Sequence, residues 1–298
     1  MFTKRTDLAI EAHELWQESA GKTTRLAGVK ATEKKIQGYP VTQVDILDRE
    51  GEAALGKPAG SYRTLDLTAF WQRGDGFFDR AVRAVGQQVK ELTPDSGPVL
   101  VVGLGNRAMT PDAVGPLAAD SVLITRHLIA AMPRQFSGFR PVAVLRTGVL
   151  GATGVESAEA VRGLAAQIPP ALIIPVDALA SRRMGRLCNT IQFSDTGIIP
   201  GSGVGNHRAA LNRETLGVPV IAVGVPTVVD AATLALDLLD EVGADLPDPA
   251  ALRGQGSVMV TPRDIDARAE QLARVVGFGV GLALQPSLSL DELRALIE

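Results

Sequence analysis

The chain has 298 residues, 46% of them hydrophobic and 21% charged, with a formal net charge of −3. That length suits one large α/β domain, or a core with a smaller lobe, and the composition excludes wholesale disorder. The slightly acidic balance argues against nucleic acid as a direct partner, and the single cysteine, Cys188, rules out an intrachain disulfide and fits a reducing compartment.

In chain order, the charged start MFTKRTDLAIEAHE lacks the apolar run of a signal peptide. No apolar stretch approaches the roughly 20 residues of a membrane span, so a soluble cytoplasmic protein without a membrane partner is expected. Residues 7–18 fit a short amphipathic helix, while 23–35 carry no firm signal. Alternation predicts a strand at 39–47 paired with one at 62–67, and residues 76–92 read as a helix. The turn-rich PDSGP at 94–98 closes a small N-terminal α+β portion.

Beyond it, strand and helix alternate. Strands are expected at 98–104, 142–146, 171–176, 189–193, 218–224 and 257–260. Helices are expected at 112–131, 155–167, 178–187, 227–241 and 263–277. Apolar runs such as VLVVGL, ALIIPV and VPVIAVGV suit strands covered on both faces, hence a mostly parallel central sheet flanked by helices. The closing SLDELRALIE opens on a capping box, Ser289 with Glu292.

Parallel sheets gather functional groups at the carboxyl ends of their strands. Asp112 follows one strand across a glycine turn, and Asp177 follows another directly. Two nearby carboxylates cannot both ionise cheaply; they share a proton, so one can take a proton from water while the other donates to the carbonyl or leaving group. The plainer reading is equally compatible with the pattern: Thr110-Pro111-Asp112 is a good helix start, and Asp177 could cap a helix over 178–187.

Other motifs point less sharply. Gly103-Leu104-Gly105 opens like a dinucleotide fingerprint, but Ala108 stands where the third glycine belongs. The stretch IPGSGVGNHR, with Gly201, Gly203 and Gly205, could cradle an anion or lie against a substrate backbone. These two loops sustain an alternative function, a non-proteolytic α/β protein that binds a nucleotide or phosphate. Three scattered histidines offer no zinc pattern, so neither a metal nor another cofactor is expected. Arg126, Arg146 and Arg182 are candidates for holding an acidic substrate side chain bidentately.

RTDLAIEAHE, VVGLGN with TPDAVGP, TRHL, RTGVLGATGVESAE, VDALASRR, DTGIIPGSGVGNHR and ETLGVPVIAVGVPTVVDA together resemble the germination proteases of endospore-forming bacteria. GLGNRAMTPDAVG is more distantly similar to a loop of hydrogenase-maturation endopeptidases. The resemblance implies a phosphorylase/hydrolase-like α/β fold and an atypical aspartic endopeptidase whose essential pair falls on Asp112 and Asp177, with no metal. It implies cleavage of small acid-soluble spore proteins in the spore core, after Glu or Asp and before an apolar residue followed by alanine. It further implies a self-processing zymogen that assembles as a homotetramer. Asp7-Leu8-Ala9 has the same acid, apolar, alanine order, so autocleavage is expected between Asp7 and Leu8. Residues 1–7 then form a short pro-segment, 8–95 the N-terminal portion and 96–298 the catalytic core.

Overall fold

The computed structural model describes residues 5–20, 26–204, 208–243 and 258–298. Nine strands form one sheet: β1 Val29–Ile36, β2 Tyr39–Ile46, β3 Gly60–Asp66, β4 Val99–Leu104, β5 Val142–Gly148, β6 Leu172–Ser181, β7 Thr190–Ser194, β8 Ala222–Asp230 and β9 Met259–Val260. Their order is β1-β2-β3-β7-β8-β6-β4-β5, with β9 on the end of β8. The centre, β8-β6-β4-β5, is parallel; β7, β3, β2 and β1 extend it antiparallel. No helix among the described residues is long and apolar enough to cross a membrane.

Alternation along the strands builds two different faces. Val99 and Val101, Leu172, Ile174 and Val176, Ile191 and Phe193, and Val223 and Val225 point to one side. There the helices Phe77–Leu92, Val114–Asp120 and Ile265–Leu284 cover them in a single continuous core. The opposite face carries two separate apolar clusters. One sets Leu100, Val102, Leu104 and Ile173 under the helix Ser157–Gln167; the other sets Val44, Ile46 and Tyr62 under the helices Ala9–Ala20 and Arg49–Leu55. Between them the sheet bears polar or small residues: Asp177 on β6, Gly224 on β8, Gln192 on β7. These three are register partners in one row.

Several expected boundaries shift. The helix expected at 178–187 does not form: β6 continues to Ser181, because Ala178–Ser181 pair with Val225–Val229 of the long β8. The helix expected from 227 accordingly starts at Ala231, where the Asp230 carboxylate accepts from the Thr233 N–H. The helix expected at 112–131 is three pieces: a 3-10 turn Thr110–Asp112, then Val114–Asp120 and Arg126–Ala131. Residues 29–36, all but the last within the stretch that carried no firm signal, are strand β1. It is an edge strand with exposed Lys and Glu along most of its length, so it lacks the alternation of a half-buried strand.

Candidate active site

Asp112 and Asp177 arrive on neighbouring parallel strands, β4 and β6, which pair from Val99↔Leu172 to Gly103↔Val176. Beyond β4 the chain turns at Gly105, whose φ of +107° only glycine adopts readily, and a Cβ there would lie 2.1 Å from the Asp112 carbonyl oxygen. That contact folds the 3-10 turn back on the strand end. The half-buried Asp112 carboxylate then accepts the Asn106 N–H at 2.7 Å. Asp112 makes no side-chain cap to the helix that follows. The glycine of the dinucleotide-like stretch therefore packs strand against turn.

Asp177 lies inside β6, not beyond its end, so it caps no helix. It is 4% exposed, and its carboxylate accepts the N–H of Ala178 at 2.9 Å. Burial pushes its pKa well above the ordinary 3.8, the Asp112 charge pushes it further, and the Asp7 charge adds to this; the Ala178 bond and Arg208 pull the other way. Burial also raises Asp112, against the Asn106 N–H and Arg208. Asp177 is thus the member of the pair that keeps the proton, and Asp112 is the more readily ionised.

The N-terminal segment lies in this site. The Asp7 N–H donates to the Ala180 carbonyl at 2.9 Å. The Asp7 carboxylate accepts the Ala180 N–H at 2.8 Å and the Ser202 hydroxyl at 2.7 Å. The Asp7 carbonyl oxygen accepts Lys57 Nζ at 2.9 Å and Gln192 Nε2 at 3.2 Å, while Gln192 Oε1 accepts the Ala9 N–H at 2.8 Å. Leu8 and Ala9 are fully buried. Gly203 closes over the acid: a Cβ there would sit 2.2 Å from Asp7 Oδ2. The segment runs along a groove of about 880 Å³ whose lining includes Leu179, Gln192, Ser194 and Gly224.

Of the arginines proposed to read an acidic side chain, Arg182 is 1% exposed and holds Glu18 bidentately at 2.8 and 2.9 Å, with Asp237 at 3.3 Å. Arg146 pairs with Asp120, and Arg126 is exposed at the start of its helix. Among the described residues, the groups bonded to the Asp7 carboxylate are Ser202 and the Ala180 N–H. Gly201 opens the Ser202 turn at φ +73°, and Gly205 lies outside the described residues. Sequence reading missed Lys57, Gln192 and Ser202 as site groups. The one local sign was Gln192, a long polar residue alternating with Ile191 and Phe193 in a buried strand.

The family model described as germination protease matches residues 9–246. The germination protease of Clostridium perfringens is 39% identical over the whole of both chains. That of Caldanaerobacter subterraneus subsp. tengcongensis is 40% identical with 98% of each chain covered, and that of Bacillus cytotoxicus is 35% identical over 99% of this chain and 97% of the other. Among solved structures, the [NiFe] hydrogenase maturation protease HycI from Thermococcus kodakarensis is similar over 65% of this chain and 98% of that one, at 18% identity and a TM-score of 0.36.

Proposed function

Because the chain belongs to the germination protease family, and is by that membership a peptidase acting in germination, we propose that Asp112 and Asp177 are its acid–base pair. The observation that carries this reading is the unequal burial of two electrostatically coupled carboxylates, one within β6 and one in the turn that follows the neighbouring β4. Asp112, the more readily ionised, takes a proton from the attacking water. Asp177, kept protonated, gives its proton to the departing amine nitrogen.

The same reading makes the Asp7–Leu8 bond the enzyme's own processing site. Its support is the acid, apolar, alanine order of Asp7-Leu8-Ala9, together with the bonds that hold Asp7 to Ala180, Ser202 and Lys57 and the charge coupling of Asp7 to Asp177. On the motif resemblance, the substrates are small acid-soluble spore proteins cut after Glu or Asp in the spore core, the zymogen matures by self-cleavage, and the assembly is a homotetramer.

The test is Asp112→Asn and Asp177→Asn, each assayed on a peptide containing Glu-Phe-Ala, with and without chelator. Each variant is expected to lose about 10³-fold or more in kcat. Near-parental cleavage by either would sink the pair, and loss on chelation restored by metal would give the carboxylates a different role. Mass spectrometry of the parent is expected to find a chain beginning at Leu8; fully active enzyme that keeps its first seven residues would remove the processing site.

A further inference from the structure

We propose that Lys57 and Gln192 form the carbonyl-binding site of this peptidase, holding the oxygen of the residue before the scissile bond and the negative charge it gains as water adds. The inference rests on the acid–base pair and on reading Asp7-Leu8 as a bound, substrate-like segment.

Two donors from separate parts of the chain converge on one backbone oxygen, that of Asp7. Gln192 also accepts the Ala9 N–H with its other amide atom, so a single side chain grips the peptide on both sides of Leu8 and fixes its register. Lys57 is the more telling partner. Among the described residues it has no carboxylate within 4.0 Å, and burial lowers its pKa from 10.5 even though Asp7 and Glu11 attract its charge. A half-buried ammonium set on a neutral carbonyl gains less than one in a contact ion pair. It gains more when the carbonyl oxygen turns negative.

The position is built, not incidental. Lys57 follows the Gly56 turn, at φ +64°, that ends the helix Arg49–Leu55, and it precedes Pro58, whose carbonyl accepts the Tyr62 hydroxyl at 2.9 Å. Gln192 stands in the same row of the sheet as Asp177, with Gly224 between them. At strand spacing their Cα atoms are about 10 Å apart, and the Leu179 side chain lies over the Gly224 position between them.

The step balances as follows. The water oxygen bonds to the carbonyl carbon, one water proton passes to Asp112, and the carbonyl π pair moves onto the oxygen held by Lys57 and Gln192. When that pair returns, the C–N bond breaks and the nitrogen takes the proton of Asp177. The products are a carboxylic acid and an amine, and the aspartate pair again holds one proton, which returns from Asp112 to Asp177.

The full-length chain carrying Lys57→Met, Lys57→Arg or Gln192→Met is assayed on the Glu-Phe-Ala peptide beside Asp177→Asn, with thermal unfolding of each. Where turnover is too slow for KM, inhibition by the product peptide ending in Glu replaces it. Lys57→Met is expected to lower kcat about 10²- to 10³-fold with KM within threefold, and Lys57→Arg to recover part of the loss. A folded Lys57→Met with kcat within threefold of the parent, or a loss confined to KM, overturns the inference. Should Lys57→Met not fold, Gln192→Met decides: a fall of about tenfold in kcat supports the site and an unchanged kcat overturns it. Activity in Lys57→Met but not in Asp177→Asn defeats this inference alone; activity in Asp177→Asn defeats the acid–base pair itself.

Discussion

The two faces of the sheet are built from the same strands and behave as different materials. On one face alternate residues of β4, β6, β7 and β8, among them Val101, Ile174, Phe193 and Val223, enter a single core under three helices. On the other face the apolar cover is split, and Asp177, Gly224 and Gln192 lie in the gap, Gly224 and Gln192 lining the groove that holds the N-terminal segment. A strand that is apolar on one side can thus carry a buried acid on the other, one residue away: Val176 belongs to the core and Asp177 to the site. The continuous core supplies the rigidity, and the interrupted face spends some of that stability on carboxylates held out of water.

Three substitutions test this contrast. The largest effect is expected on the core face. Phe193→Ala removes a fully buried ring and should cost about 3–5 kcal/mol in stability. Well below the lowered midpoint, kcat/KM should stay within threefold; a much larger loss would mean that the faces are not independent.

A smaller effect belongs to the trough. A Cβ on Gly224 would meet Leu179 Cδ1 at 2.3 Å, so Gly224→Val should drive Leu179 into the groove. A fall in kcat/KM of about 10- to 100-fold is expected, roughly 1.4–2.7 kcal/mol, with a modest change in unfolding midpoint. Undiminished cleavage would show that substrate does not pass over this row.

The smallest effect is a pH dependence. Asp177 has a folded pKa well above its ordinary 3.8, chiefly through burial. The folded state therefore binds the proton more tightly than the unfolded chain. The stability this contributes is complete below the unfolded value and is lost as pH rises through the folded one. Asparagine does not titrate, so Asp177→Asn should match the parent most closely near pH 4 and exceed it increasingly toward pH 8. A gain of about 1–2 kcal/mol, or about 2–5 °C, is expected there. A difference that is flat with pH would show that the buried acid is not the titrating group.

Much of this architecture was legible in the sequence, for identifiable reasons. Apolar runs marked β4, β6 and β8, and strand-end logic placed Asp112 past the end of β4, but it set Asp177 past the end of β6, which encloses it. The extension of β6 was hidden because Ala178-Leu179-Ala180 are good helix formers, and only pairing with the long β8 overrides them. The helix Ile265–Leu284 runs past the expected end at 277 through Gly277, Gly279 and Gly281. There the lost helix propensity is offset by close packing; a Cβ on Gly279 would strike Val85 at 2.4 Å. Lys57, Gln192 and Ser202 were hidden for a different reason. Each reaches the site alone, by a contact spanning 50 residues or more, and leaves no local pattern.

The strand order also governs when the site can exist. β6 and β7 are consecutive in the chain, yet β8 lies between them in the sheet. Asp177 and Gln192 take their places in one row only after β8, nearly thirty residues further along, has slotted in to join them. A nascent chain that has already released both aspartates and its own Asp7–Leu8 bond from the ribosome still lacks the central strand of the trough. The row that holds Asp177 and Gln192 is thus completed only once most of the chain has been synthesised.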